Sequence, residues 1–246
     1  MNTTASTGAK PMTSSKGIWY WTKRIVFWLF ILFIVFNVYV FVRIWWMIDH
    51  NPDTTSFMND QLAEIRQTNP DAQIQHQWVD YDHISRNLKA ALIASEDAKF
   101  VDHNGFDKEG IKLAFQKNLK QGRIAAGGST ISQQLAKNLF LSASKNPLRK
   151  GEEALITIML EQMMTKERIF EIYLNSIEWG VGVFGAEAAA RHYFNTSASR
   201  LSARQAAKLA AMVPNPRYFD KNRQDAKLRR KTSIILRRMG ASDIPD

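Results

Sequence analysis

From Ile25 to Val42 the chain reads IVFWLFILFIVFNVYVFV, apolar apart from Asn37 and Tyr39 and free of formal charge. No other stretch restricts the fold so strongly. As a helix it rises 1.5 Å per residue and covers about 27 Å, close to the hydrocarbon thickness of a bilayer. Trp19, Tyr20 and Trp21 before it, and Trp45 and Trp46 after it, have the placement of interfacial aromatic belts. A cleaved signal peptide has a shorter apolar region ending in small residues, and no Ala-x-Ala site follows here. Residues 18–48 are therefore predicted to be a retained anchor. Lys10, Lys16, Lys23 and Arg24 precede the span and only Arg43 follows closely. That asymmetry places the N-terminus in the cytoplasm and everything after Asp49 beyond the inner leaflet. Residues 1–17, rich in Thr and Ser, read as a disordered cytoplasmic tail.

The formal net charge is +10 and there is no cysteine, which excludes disulfide staples and thiolate metal sites. An anchored, exported domain does not meet nucleic acid, so the partners matching this charge are anionic headgroups of inner-membrane lipids and diphosphate-bearing lipids. The stretch Lys227 to Arg238 is basic and amphipathic, suiting either a surface lying on a membrane or a solvated terminal helix. Residues 49–77 are polar, contain Pro52 and Pro70, and read as a linker or stalk with one short helix from Met58 to Gln67.

From Trp78 onward the pattern is helical. Ile84, Leu88, Ala91, Leu92 and Ser95 follow 3-and-4 spacing, and Glu96 falls at the end of that stripe, where a carboxylate is partly desolvated. Thr130 and Gln133 match a capping box, starting a second helix near Gly128. A third should run from about Pro147 to Met164, with Glu153 on the face of Ile156 and Leu160. Further helices are predicted at 166–175, 185–193 and 202–212, with Pro214 and Pro216 ending the last. No run of alternating strands is visible, so the fold class is mostly α.

Glu96 is the candidate general base, supported by Asp97, Phe100 and His103 in the same short stretch. Any single glutamate reads equally well as a solvated helix end; here the company it keeps argues otherwise. Gly122 and Gly127 mimic a phosphate-binding loop, but Gly128 stands where the lysine must be and the motif fails. What remains is a Gly-Gly start to a helix whose free N–H groups favour anions. Along it, Ser129, Thr130, Gln133, Gln134 and Lys137 supply hydroxyls, amides and a cation suited to a diphosphate or to sugar hydroxyls. Lys145, Arg149 and Lys150 add positive charge just before Glu153. Such cations count most in a transition state in which a diphosphate gains charge as it leaves. Glu153 is left with three roles: orienting a cation, donating a proton, or stabilising charge at an anomeric carbon. A base, a second carboxylate and cations between them describe glycosyl transfer from a sugar diphosphate. Ser142-x-x-Lys145, Ser85-x-Asn87 and Lys231-Thr232-Ser233 imitate penicillin-binding motifs in the wrong order, and are chance.

At these residues the chain resembles the peptidoglycan glycosyltransferases, glycosyltransferase family 51. The resemblance runs from about Trp78 to Asn222 and rests on five ordered motifs. They are Glu96-Asp97-x-x-Phe100-x-x-His103-x-Gly105, and Gly128-Ser129-Thr130-Ile131-x-Gln133-Gln134-x-x-Lys137-Asn138. Arg149-Lys150-x-x-Glu153 with Ile172-Tyr173-Leu174-Asn175 comes next. Gly180-x-Gly182-x-x-Gly185-x-x-x-Ala189-Ala190-x-x-Tyr193-Phe194 and Leu209-Ala210-Ala211-x-x-Pro214-x-Pro216 complete the set. The resemblance implies a lysozyme-like α-helical domain over 78–246, with a membrane-facing jaw from Phe106 to Ala126. It implies polymerisation of lipid II on the outer face of the inner membrane, with the lipid-linked growing chain as donor. Glu96 would then deprotonate the acceptor 4-hydroxyl, and inversion at the anomeric carbon would expel undecaprenyl diphosphate. Glu153 matches the family's second glutamate, and Gln133, Gln134, Lys137, Arg149 and Lys150 fall on donor-site positions. Lys145 stands where many members carry arginine, which keeps the charge but loses bidentate geometry. No cofactor is required, and the sequence shows no metal-ligand cluster. Other cell-wall synthesis or division proteins are candidate partners. Two rival readings are an anchored lytic transglycosylase, for which the cations around Glu153 would have no purpose, and a non-catalytic scaffold, which leaves the carboxylates unexplained.

Overall fold

The computed structural model describes residues 15–122, 127–141 and 147–245, with the side chains of 15–18 and of Pro147 left aside. Lys145, the tail up to residue 14 and the last four residues of the expected jaw lie outside the described residues. Contacts divide the chain into two units, up to Arg43 and from Ile44 onward.

The first unit is most of helix α1 (Ser15–Trp46). Its part from Trp19 to Trp46 is long and apolar enough to cross a membrane once. Side chains such as Phe27, Leu29, Phe30 and Leu32 stand more than half exposed, as a helix solvated by lipid requires. Asn37, the amide inside the span, donates to Phe33 O one turn back at 2.8 Å, so it adds no unpaired donor to a medium that cannot hydrate one.

The second unit is built from helices. Residues 49–77, expected as a polar stalk, carry α2 (Ser56–Arg66), capped by Thr55, and the two-residue strand β1 (Gln75–His76). Met58 and Gln61 of α2 are buried. After α3 (Arg86–Glu96), capped by Ser85, come α4 (Lys108–Gln121), α5 (Ile131–Phe140), α6 (Pro147–Met163) and α7 (Lys166–Ser176). A tight turn of β2 (Glu178–Gly180) and β3 (Val183–Phe184) leads to α8 (Ala186–Phe194), α9 (Ala203–Met212), α10 (Pro216–Lys221) and α11 (Ala226–Arg238).

Two packed groups of helices make the core. α5 lies against α6, α7 and α2, while α3, α9 and α11 pack on one another. Phe100, Phe170, Tyr173 and Trp179 are fully buried, with Phe100 and Phe170 ring centroids 5.5 Å apart. The small sheet, ordered β1-β3-β2 with β1 parallel to β3, escapes a search for alternation because strands this short cannot display a period. The helix over Lys227–Arg238 is neither membrane-bound through its apolar face nor simply solvated. Leu228, Thr232 and Ile235 are buried against α9 and α3, and its arginines face outward. α4 behaves differently: Leu113, Phe115 and Leu119 are about two-thirds exposed. It passes close to Gly128, where a Cβ would come within 3.3 Å of the Ile111 backbone.

Candidate active site

The capping box foreseen at Thr130 forms: the Gln133 N–H donates to Thr130 Oγ1 at 3.2 Å, and the Thr130 N–H donates to Gln133 Oε1 at 3.0 Å. Thr130 Oγ1 also donates to Gly105 O at 2.7 Å. Both side chains are therefore buried and engaged by backbone, whereas Ser129 beside them is exposed. The helix start expected to receive an anion already has one. Asp97 Oδ2 accepts the Ile131 N–H at 3.0 Å, so the protein's own carboxylate fills that position. The reason lies in the turn after α3, which brings Asp97 beneath α5.

That turn is braced from several sides. The Gly105 N–H donates to His103 Nδ1 at 3.1 Å, which puts the ring proton on Nε2, and Nε2 donates to Asp97 Oδ1 at 2.9 Å. His103 is thus a structural link rather than a base. Lys166 Nζ sits 4.5 Å from the Phe100 ring centroid, donates to His103 O, and pairs with the buried Glu161 at 2.8 Å. Gly105 has φ +86°, and a Cβ there would lie 2.6 Å from Thr157 Cγ2. Only glycine fits.

Glu96, the last residue of α3, is half-buried. Its Oε1 accepts from Ser95 Oγ at 3.0 Å and its Oε2 from Gln134 Nε2 at 3.1 Å. Gln134 is held in turn: Tyr173 Oη donates to its Oε1 at 3.2 Å. An ionised carboxylate can only accept and a phenol can donate, so the network itself decides which way the amide faces. Burial, with the nearby Glu96 and Asp97 charges, drives the Tyr173 phenol well above its ordinary pKa and keeps it a donor. From α11, Lys231 comes near enough for the Glu96 charge to act on it. Burial lowers its pKa and the Glu96 charge opposes that shift.

One turn beyond Gln134 on α5 stands Lys137, half-buried. Burial is the main cause of its lowered pKa; Glu153 pulls it back up, and Arg149 and Lys150 push it further down. These four charges share one field. Glu153, only 4% exposed, accepts from Arg149 Nη1 at 3.3 Å and from Lys150 Nζ. Its backbone carbonyl accepts from Thr157 Oγ1 at 2.7 Å. The side chain of Phe57 on α2 lies under Lys137, its ring centroid 5.8 Å from Nζ. No group of three or more His, Asp or Glu suited to a metal occurs among the described residues.

The structure therefore joins Gln134 to Glu96 and sets Lys137 in the field of Arg149, Lys150 and Glu153, the two groups linked along α5, and it assigns Asp97, Phe100, His103, Thr130 and Gln133 to the frame around them. Reasoning from sequence missed Ser95, Tyr173, Phe57 and Lys231. Tyr173 had a signal, lying in the Ile172–Asn175 motif; Lys231 had none. Asn175 of that motif is a strut: its amide donates to Val79 O and its Oδ1 accepts the Val79 N–H.

The chain as a whole is similar to known proteins. The profile of the family described as Transglycosylase matches residues 60–240. A protein of Chromobacterium violaceum named biosynthetic peptidoglycan transglycosylase is 65% identical over 213 residues, covering 87% of this chain and 93% of its own. One of the same name from Laribacter hongkongensis is 62% identical over 225 residues, 92% of this chain and 99% of its own. Another, from Dechloromonas aromatica, is 60% identical over 227 residues, 92% and 97% respectively.

Proposed function

We propose, from the premise that this chain belongs to the transglycosylase family, that Glu96 and the cations beyond it are the two halves of one glycosyl-transfer centre. The enzyme is a peptidoglycan glycosyltransferase, and its substrates in this reading are lipid II and the lipid-linked growing glycan.

Glu96 receives the proton of the acceptor 4-hydroxyl as that oxygen attacks the anomeric carbon of the donor. A new C–O bond forms on one face while the bond to the diphosphate breaks on the other, so the anomeric configuration inverts. The electron pair leaves with the lipid diphosphate, whose growing charge meets Lys137, Arg149 and Lys150. Ser95 and Gln134 each donate to a different Glu96 oxygen, which leaves lone pairs for the incoming hydroxyl and holds the carboxylate in one rotamer. Of the three roles open to Glu153, its two cationic partners favour the first: it orients Arg149 and Lys150 and balances part of their charge.

One observation carries the reading. The residue bonded to the base, Gln134, and the cation Lys137 are three apart on α5, a rise of about 4.5 Å. A lytic enzyme has no diphosphate to receive, and leaves the positive charge that Glu153 does not balance without a partner. The anchor, with Lys23 and Arg24 at its start, sets the catalytic body on the outer face of the inner membrane.

Purified full-length protein incubated with labelled lipid II should yield glycan polymer, and Glu96→Gln should abolish it while the protein stays folded. Soluble fragments released from intact sacculi would indicate the lytic enzyme instead, and near-normal polymerisation by the Gln variant would remove Glu96 from its role.

A further inference from the structure

Between α9 and α11 lies a cleft of about 710 Å³, away from the catalytic groups. Arg204, Lys208, Arg223 and Arg229 line it, and Leu228 and Phe194 give it apolar surface; no Asp or Glu is among its lining residues. Arg223 is paired with Asp220 at 2.9 Å, so Arg204, Lys208 and Arg229 supply the net charge of the wall. Arg204 and Lys208 are four apart on α9 and so share a face. Like charges gathered in a concave wall repel one another in the empty fold and focus their field on whatever enters. An anion is the ligand such a wall selects.

The cleft is distinct from the Glu96 site but close to it. Successive helical residues turn by about 100°, so Leu228 and Thr232, which line the cleft, stand about 60° and 100° round α11 from Lys231, the residue on which the Glu96 charge acts, and Arg229 and Ser233 about 160°. A second measure agrees: Ser95 Oγ, next to the base, lies 3.3 Å from Ala210 O, two residues along α9 from Lys208. The substrate of a peptidoglycan enzyme carries a peptide on its sugar, and that peptide ends in free carboxylate. An extended peptide of three to five residues reaches about 10–18 Å, a length on the scale of one helix diameter.

We infer that the α9–α11 cleft is a subsite for the carboxylates of the peptide arm on the saccharide substrate. The inference rests on the glycosyltransferase reading and adds to it a determinant of substrate preference outside the reacting groups. The peptide docks on Arg204, Lys208 and Arg229, and the sugar it carries is thereby oriented toward Glu96.

The test compares two substrates on the full-length enzyme in detergent: lipid II with its natural peptide, and the same molecule with the peptide carboxylates converted to amides. Two or three exposed ion pairs change KM by about fivefold to tenfold, so the wild type should show a KM lower by that factor for the natural substrate. Lys208→Glu with Arg229→Glu should erase the preference, leave kcat unchanged and leave the amidated substrate unaffected. Lys208→Gln with Arg204→Gln gives the same readout without charge reversal if the first pair folds poorly. Equal KM for both substrates in the wild type overturns the inference, as does a variant that loses both substrates alike. Vesicles with anionic lipid form a third arm: if the variants lose vesicle binding but keep the substrate preference, the cleft belongs to a lipid surface and the inference fails. A wild-type enzyme that polymerises neither substrate would defeat the glycosyltransferase reading itself, a different signature from loss of preference.

Discussion

Replacing Tyr173 with phenylalanine removes one oxygen atom from the core, and that oxygen reaches the base through a single side chain. Tyr173 is fully buried, its Oη donates to Gln134 Oε1 at 3.2 Å, and Gln134 Nε2 donates to Glu96 Oε2 at 3.1 Å. The direct loss is one neutral hydrogen bond, about 1 kcal/mol net. The indirect loss is larger. Without the phenol only the Glu96 carboxylate selects the orientation of the Gln134 amide, which is then freer to turn away from it. The bond at risk is charge-assisted, about 1.5–3 kcal/mol. Since about 1.4 kcal/mol is a factor of ten in rate, Tyr173→Phe should lower kcat about tenfold, and at most about a hundredfold, with little change in KM. That is smaller than the roughly 10²–10⁴-fold expected when a general base is lost outright. Initial rates of polymer formation should be measured for Tyr173→Phe, Gln134→Ala and the double variant, with thermal unfolding as a check that each is folded. Because both residues act through the same contact to Glu96, the double variant should be no slower than Gln134→Ala alone. Single effects that multiply, or a Tyr173→Phe enzyme at full rate, would refute the idea that the phenol orients the base.

Three further outcomes follow from the geometry. Gly105→Ala forces a Cβ to within 2.6 Å of Thr157 Cγ2 at a φ of +86°, and should cost about 2–4 kcal/mol in denaturant unfolding; a change below about 0.5 kcal/mol would show that the turn relaxes freely. Asp97→Asn leaves one carbonyl oxygen to serve both the Ile131 N–H and His103 Nε2–H, and should lose about 1–3 kcal/mol of stability by the same assay. Lys137 must be cationic to meet the leaving group, and its pKa is depressed, so kcat/KM should fall with rising pH on a limb below the usual lysine value of 10.5. Lys137→Arg stays charged throughout and should move that limb upward; an unmoved limb in this variant assigns the titration to another group.

How much of this was legible beforehand depends on the range of the interaction involved. The membrane span, the start of α5 at the Thr130–Gln133 box, and the ends of α6, α7 and α9 are products of residues within four positions of one another, so a one-dimensional reading finds them to within a residue or two. The gathering of Lys137, Arg149, Lys150 and Glu153 was legible for a related reason: three of the four lie on one helix at spacings of one turn, and the family motifs supply the fourth. The anion expected at the start of α5 was misjudged because its occupant, Asp97, lies 34 residues earlier in the chain. Nor does any local pattern say that α11 buries Leu228 and Ile235 against α9 and α3, or that Lys231 thereby comes within the field of Glu96. An amphipathic basic helix looks the same whether its apolar face meets lipid or protein. Sequence alone determined most of the helices (though not α4 or α10), which of their faces are apolar, and that a base and cations are present. The tertiary structure alone decided which faces meet, because that choice is made by burying apolar surface between segments far apart in the chain, and that burial leaves no trace in the spacing of either segment.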